Sequence, residues 1–213
     1  MRGARASDVR PRVLVALIAA AAASGIGIGA ALAFVHGRSA PALDAAPALH
    51  AQATWPAGAK RAADLRLRDQ AGRLMTLSSQ RGRVVLLTFL DSRCKQECPI
   101  EGRLLANVQR RLGRDTHADV LVVSVDPWAD TGQSASAFAA KSHWRDWRWL
   151  LGAPAQLRPV WASYAVGVRR TPTDVNHTAV LYLIDPHGFQ RAAYLVPFSP
   201  ADVAADVRGL AVS

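Results

Sequence analysis

The sequence predicts an α/β fold, a mixed central sheet flanked by helices, with a transmembrane helix at its N-terminus. Three observations lead there. Two apolar runs, residues 84–90 (VVLLTFL) and 119–125 (DVLVVSV), read as strands buried on both faces. A helical pattern lies between them, and strand, helix, strand in that order implies a right-handed parallel crossover. Two later runs, residues 178–184 and 189–195, are joined by Asp185-Pro186-His187-Gly188 and read as an antiparallel hairpin.

Residues 1–12 carry Arg2, Arg5, Arg10 and Arg12. Residues 13–35 then hold no charge, a stretch long enough to cross ~30 Å of hydrocarbon as a helix. A cleavable signal peptide has a shorter apolar core, about 7–15 residues, so this segment reads as an uncleaved anchor. The arginines ahead of it place residues 1–12 in the cytoplasm. They place the body on the far side of the cytoplasmic membrane, in the periplasm or outside. Residues 36–60, rich in Ala and Pro, read as a linker, with His36 and His50 as incidental linker histidines. Residues 61–213 read as the folded domain.

Half of the 213 residues are hydrophobic, which supplies a sizeable core. The net charge of +10 divides into +4 for residues 1–38 and +6 for the rest. The arginines are scattered in runs no longer than two, which reads as a solvated face and not as a nucleic-acid surface. Two cysteines exclude a disulfide-rich scaffold, and their closeness excludes a long structural cross-link. A redox pair, a metal site or both remain.

Along the domain, Leu65, Leu67, Leu74 and Leu77 alternate around Asp69-Gln70-Ala71-Gly72 and predict a first hairpin. The buried strand 84–90 follows, then a polar turn at 91–93. Cys94, Cys98 and Pro99 come next, and Ile100, Leu104, Leu105, Val108 and Leu112 recur at helical spacing. After the second strand and Asp126-Pro127, residues 131–142 predict a helix. Residues 147–151 predict a short extended piece, with Trp144, Trp147 and Trp149 as core. Residues 155–164 predict another helix, with Leu157, Val160, Trp161 and Tyr164 on one face. A polar loop, residues 166–176, runs up to His177 and the hairpin. Ser199-Pro200 then caps a last helix carrying Val203, Val207 and Leu210. This order of elements is that of thioredoxin-like architecture.

The chemistry concentrates on three residues. Proline is favoured at the first position of a helix, where its missing N–H has no partner, so Cys98 sits at or just before a helix N-terminus. Unpaired N–H groups and the positive end of the helix dipole favour a thiolate over a thiol in such a pair. Cys94, four residues earlier, lies on the same face if the turn is helix-like. The pair is then able to hold one soft ion or to close a disulfide. In a thioredoxin-like fold His177 faces the thiols across the site. Two thiolates and an imidazole suit Cu(I), and Cu(II) with an added ligand. A structural zinc takes four ligands, and no fourth is evident. Asp126, at the end of the neighbouring strand, is a supporting residue that orients a ligand, or a turn former before Pro127. Arg93, Lys95 and Arg169 read as surface charges, and His117, His143 and His187 as solvated histidines.

On Cys94-Lys95-Gln96-Glu97-Cys98-Pro99, on Ser124-Val125-Asp126-Pro127 with Asp130-Thr131, and on His177 ahead of Pro186-His187-Gly188, the chain resembles the SCO/SenC family. These are membrane-anchored, thioredoxin-like copper proteins that serve cytochrome c oxidase assembly. The resemblance covers residues 64–212. It implies that Cys94, Cys98 and His177 are copper ligands. It also implies a metallochaperone that delivers copper to, or prepares the cysteines of, the copper-site subunit of the oxidase or another copper acceptor. Lys95 stands where the family commonly has proline, and its charge beside the site lowers copper affinity or favours thiol redox work.

Two other readings use the same thiols. A thiol–disulfide oxidoreductase keeps the cysteines of an acceptor reduced outside the cytoplasm. Against it, the chain lacks W-C-x-x-C, and no proline immediately precedes Thr178. A peroxidase of peroxiredoxin type needs P-x-x-x-T-x-x-C, and residues 80–93 contain no proline.

Overall fold

The structure is a computed structural model, and it describes residues 48–114, 116 and 118–212. The expected cytoplasmic terminus (1–12), the expected anchor (13–35), His36 and His117 lie outside the described residues. Among those described, no helix is long and apolar enough to cross a membrane.

The organising strand is β4 (Val84–Leu90), and every one of its residues is buried. Side chains alternate across a strand, so full burial requires cover on both faces. Val84, Leu86 and Leu90 join one core cluster with Leu105, Val108, Phe138 and Val203. Val85, Leu87 and Phe89 join a second with Leu157, Val160, Trp161 and Tyr164. The first cluster is supplied by helices α1 (Glu97–Leu112), α2 (Gly132–Lys141) and α4 (Pro200–Ala211). The second is supplied by helix α3 (Pro154–Ser163) together with a small hairpin, β2 (Arg66–Arg68) and β3 (Leu74–Thr76).

The central sheet has six strands in the order β1-β10-β9-β4-β5-β6, where β1 is Ala53–Thr54, β5 Ala118–Ser124, β6 Trp147–Leu150, β9 Val180–Ile184 and β10 Gln190–Leu195. β4 runs parallel to β5, and β5 to β6. β9 is antiparallel to β4 and to β10. The sheet is therefore mixed, with the crossover and the hairpin that the sequence predicts. The turn between β9 and β10 ends at Gly188 with φ +78°, a left-handed conformation that favours glycine. A Cβ there would also run into the Arg81 guanidinium.

Four expectations are corrected. Residues 48–60, the end of the expected linker, belong to the folded unit. β1 adds to the edge of the sheet against β10, with Ala53 opposite Ala193. His50 is no incidental linker residue: its backbone N–H and its Nδ1 meet the buried Asp206 carboxylate at 2.8 and 2.6 Å. The polar loop 166–176 is in large part a β-hairpin, β7 (Val168–Arg170) with β8 (Val175–His177). On α1 the buried stripe runs Cys98, Glu101, Leu105, Val108, Leu112, whereas Ile100 is 42% exposed.

Candidate metal and thiol site

The site forms where β4 ends and α1 begins, at the carboxyl edge of parallel strands. The connecting turn is tightly tied. The Asp91 carboxylate accepts from Arg93 N at 2.6 Å, and the Asp91 carbonyl accepts from Cys94 N at 3.4 Å. Ser92 donates to Asp130 Oδ1 through both N (2.9 Å) and Oγ (2.5 Å). Asp130 Oδ2 accepts from Ser124 Oγ at 2.6 Å. Asp130 thus fastens the cysteine loop to the end of β5. Burial pushes its carboxyl up to about 6, and the three hydrogen bonds oppose that shift.

α1 begins at Glu97, so Cys98 is its second residue and Pro99 its third. All three lie in the first turn, where backbone N–H groups have no partner within the helix. The residue before the helix, Gln96, makes no side-chain cap. A hydrogen bond from the Cys98 thiol, with backbone N–H groups of Cys98, Gln96 and Glu97, brings the Cys94 thiol down to about 6, and burial opposes it. Cys98 is only 1% exposed. Its bond to Cys94 and its burial push its own thiol up. Cys94 therefore ionises first, and Cys98 holds its proton. Both cysteines are free thiols.

His177, the last residue of β8, brings its Nε2 to 3.6 Å from the Cys98 sulphur. Its Nδ1 lies 3.2 Å from the Thr178 carbonyl. A carbonyl only accepts, so Nδ1 donates to it and Nε2 is the nitrogen turned toward the sulphur. A ligand histidine is oriented in this way, with its other nitrogen committed to a carbonyl. A thiolate at ~2.3 Å and an imidazole at ~2.0 Å from one ion stand roughly 3.5–3.7 Å apart at tetrahedral to trigonal angles, which matches the observed separation. The main chain fixes this corner: Thr178 N donates to Gly167 O at 3.0 Å, and Gly167 N to Thr178 Oγ1 at 3.1 Å. Cys94 and His177 line one small cleft of about 150 Å³ with Glu97 and Asp174. Among the described residues, no group of three or more His, Cys, Asp and Glu side chains is already gathered closely enough to hold a metal ion.

Beneath Cys98, Glu101 is fully buried against Thr88 of β4. Thr88 Oγ1 also lies 3.1 Å from the Val180 carbonyl. Thr88 Oγ1 donates to Glu101 Oε1. Burial pushes the Glu101 carboxyl up to about 8, and the bond from Thr88 opposes that shift. Reading the sequence did not single out Glu101, and it quoted Asp130 only as part of a motif, without a role. The signal for Glu101 was present, as an acid in the stripe Cys98, Leu105, Val108, Leu112. Asp126 is a turn former: its carboxylate accepts from Trp128 N at 3.2 Å, and no hydrogen bond joins it to either cysteine or to His177. It lines a separate cleft with Asp91, Trp128 and Arg170. His143 and His187 are exposed, as expected.

The SCO1/SenC family model matches residues 56–212. The chain belongs to the SCO1/SenC family. It is 30% identical over 154 residues to the mitochondrial SCO2 homologue of Bos taurus, a match that takes in 68% of this chain and 58% of the bovine protein. This SCO1/SenC chain therefore spans little more than half the length of that relative. Among solved structures it is similar to copper-bound ScoI of Bradyrhizobium japonicum, with 28% identity, a TM-score of 0.64, and 70% of this chain and 99% of the other covered. BsSco, described as a member of the Sco family of cytochrome c oxidase assembly proteins and carrying a disulfide switch, is 22% identical with a TM-score of 0.63. It covers 76% of this chain and 98% of its own, and the likeness is one of fold.

Proposed function

We propose that this SCO1/SenC protein is a metallochaperone whose cargo is copper, held by Cys94, Cys98 and His177. One observation carries the reading: His177 Nε2 stands 3.6 Å from Cys98 Sγ while Nδ1 is engaged by a backbone carbonyl. Two thiolates and one neutral imidazole are a soft set suited to Cu(I). A relative at 28% identity that was solved with copper bound supports the choice of ion. The cargo leaves by ligand exchange to an acceptor rich in cysteine, and the copper-site subunit of cytochrome c oxidase is the acceptor proposed. Residues 13–35 anchor the chain in the cytoplasmic membrane, with the domain on the periplasmic or outer side.

The test is anaerobic loading of the reduced protein with Cu(I), followed by exposure to Cu(II). The reading expects one copper per chain and a thiolate-to-copper absorption band that is lost in Cys94→Ser and in Cys98→Ser. A protein that retains no copper under these conditions contradicts it.

A second reading is favoured by the Cys94 thiol itself. At about 6 it is largely ionised at neutral pH, which suits attack on a disulfide. A thiol–disulfide oxidoreductase that prepares the acceptor cysteines uses the same residues. Reversible Cys94–Cys98 oxidation at a potential within reach of cellular reductants, without stable copper binding, would favour it.

A further inference from the structure

Two grooves of opposite charge meet at Cys94. On the His177 side the cleft is rimmed by Glu97 and Asp174. On the other side a larger groove, about 410 Å³, runs from Cys94 between α1 and α2. Its floor is apolar, made by Pro99, Ala137 and Phe138, and its lining includes Arg103 and Lys141. Both cations are exposed, and neither enters an ion pair among the described residues.

The groove is built into the fold. Below it the two helices touch at Gly102, where a Cβ would come within 2.7 Å of Ser142 Oγ and 3.1 Å of the Phe138 ring. Phe138 is held edge-on by Trp144 and Trp149, with ring centroids at 5.5 and 5.3 Å. Trp144 Nε1 donates to the Gly102 carbonyl at 2.7 Å, tying that cluster back to α1. The tryptophan cluster thus fixes the floor.

We propose that this groove docks an extended segment of a partner protein that carries carboxylate side chains beside a cysteine, and that it guides that cysteine to Cys94. The proposal rests on the reading of Cys94 as the thiol through which the site exchanges. Of the two thiols only Cys94 is open to solvent, so an incoming sulphur must reach it first. The apolar floor takes up aliphatic parts of the segment, and Arg103 and Lys141 complement its carboxylates. The acidic rim on the His177 side repels the same segment, which keeps it in the basic groove.

The experiment uses copper-free, reduced full-length protein in a Cys98→Ser background. The probes are short peptides with one cysteine in a disulfide to 5-thio-2-nitrobenzoate, flanked by acidic, neutral or lysine residues. The Cys94 thiolate attacks the peptide sulphur. A Cys94–peptide disulfide forms, the bond to the aromatic thiol breaks, and the thionitrobenzoate anion leaves with the electron pair. No outside oxidant is needed, and absorbance reads the rate. The acidic peptide should react roughly tenfold faster than the lysine peptide, a difference that shrinks with added salt. Arg103→Glu with Lys141→Glu should reverse the order, and Lys95→Glu should leave it in place. Equal rates in the parent, a preference that survives the double reversal, or one that disappears in Lys95→Glu would overturn the proposal. Copper affinity of the double variant, measured separately, tests the metallochaperone reading and not the groove.

Discussion

Two histidines of this domain each sit beside a carboxylate or a thiol, and they serve different ends. His50 gives its Nδ1 and its backbone N–H to Asp206, which also accepts from Tyr194. Its useful ring nitrogen and its main chain are both committed to one buried acid on α4, so it fastens the start of the domain. His177 spends Nδ1 on the carbonyl of its own neighbour and leaves Nε2 facing sulphur. A histidine is read by the group its ring nitrogens meet: one tied to a buried acid holds structure, and one turned toward a thiol stands where the proposed ligand is needed.

The sharpest way to break this comparison is to remove each ring. His177→Ala should weaken Cu(I) binding by at least about tenfold, since loss even of a residue that orients a metal ligand costs ~10–100-fold. Its thermal midpoint should stay close to that of the parent. His50→Ala should do the reverse, lowering the thermal midpoint and leaving copper affinity intact. A loss of copper binding in His50→Ala, measured by competition with a Cu(I) chelator, would erase the distinction.

The next effect concerns pH. The Glu101 carboxyl is raised in the folded state from 4.5 to about 8. A raised acid stabilises fully below its unfolded value and loses that contribution as pH rises through the folded one. Urea midpoints should therefore fall between pH 5 and pH 8.5, by an amount on the order of 1–3 kcal/mol in stability. Glu101→Gln keeps the shape without the titration and should flatten this dependence. An equally steep profile in the variant would mean that another group titrates. His50 acts in the same direction through Asp206, since its raised value lends stability at low pH that fades above it. His50→Ala therefore serves as the matched control.

The smallest effect is expected at Asp130. Asp130→Asn removes the charge that gathers Ser92 and Ser124 but keeps a side-chain oxygen to accept from them. The loop before Cys94 should loosen, with a severalfold loss of copper affinity. Asp126→Asn, beside it in sequence but bonded only within its own turn, should leave affinity unchanged. Equal losses in both would assign the role to local charge.

That pair also shows where reading the sequence succeeds and where it stops. The parallel crossover, the late hairpin and the placement of Cys94, Cys98 and His177 follow from apolar runs, a proline in the first turn and the order of elements. Asp126 and Asp130 both belong to the motif after the second strand, and nothing in their spacing says which one turns inward. Packing decides it, because only Asp130 meets Ser92. The β7–β8 hairpin was hidden by Pro172 and by polar residues on strands with little buried surface. β1 was hidden because two residues joined by main-chain bonds leave no pattern in side chains. His50 was missed because its partner lies 156 positions away.

The central claim is that one ion shares two sulphurs and one imidazole. X-ray absorption at the copper edge of the Cu(I)-loaded protein reads that set directly. The expected result is two sulphurs and one nitrogen, with the nitrogen lost in His177→Ala. A first shell of sulphur alone, or a nitrogen that persists in His177→Ala, would contradict it.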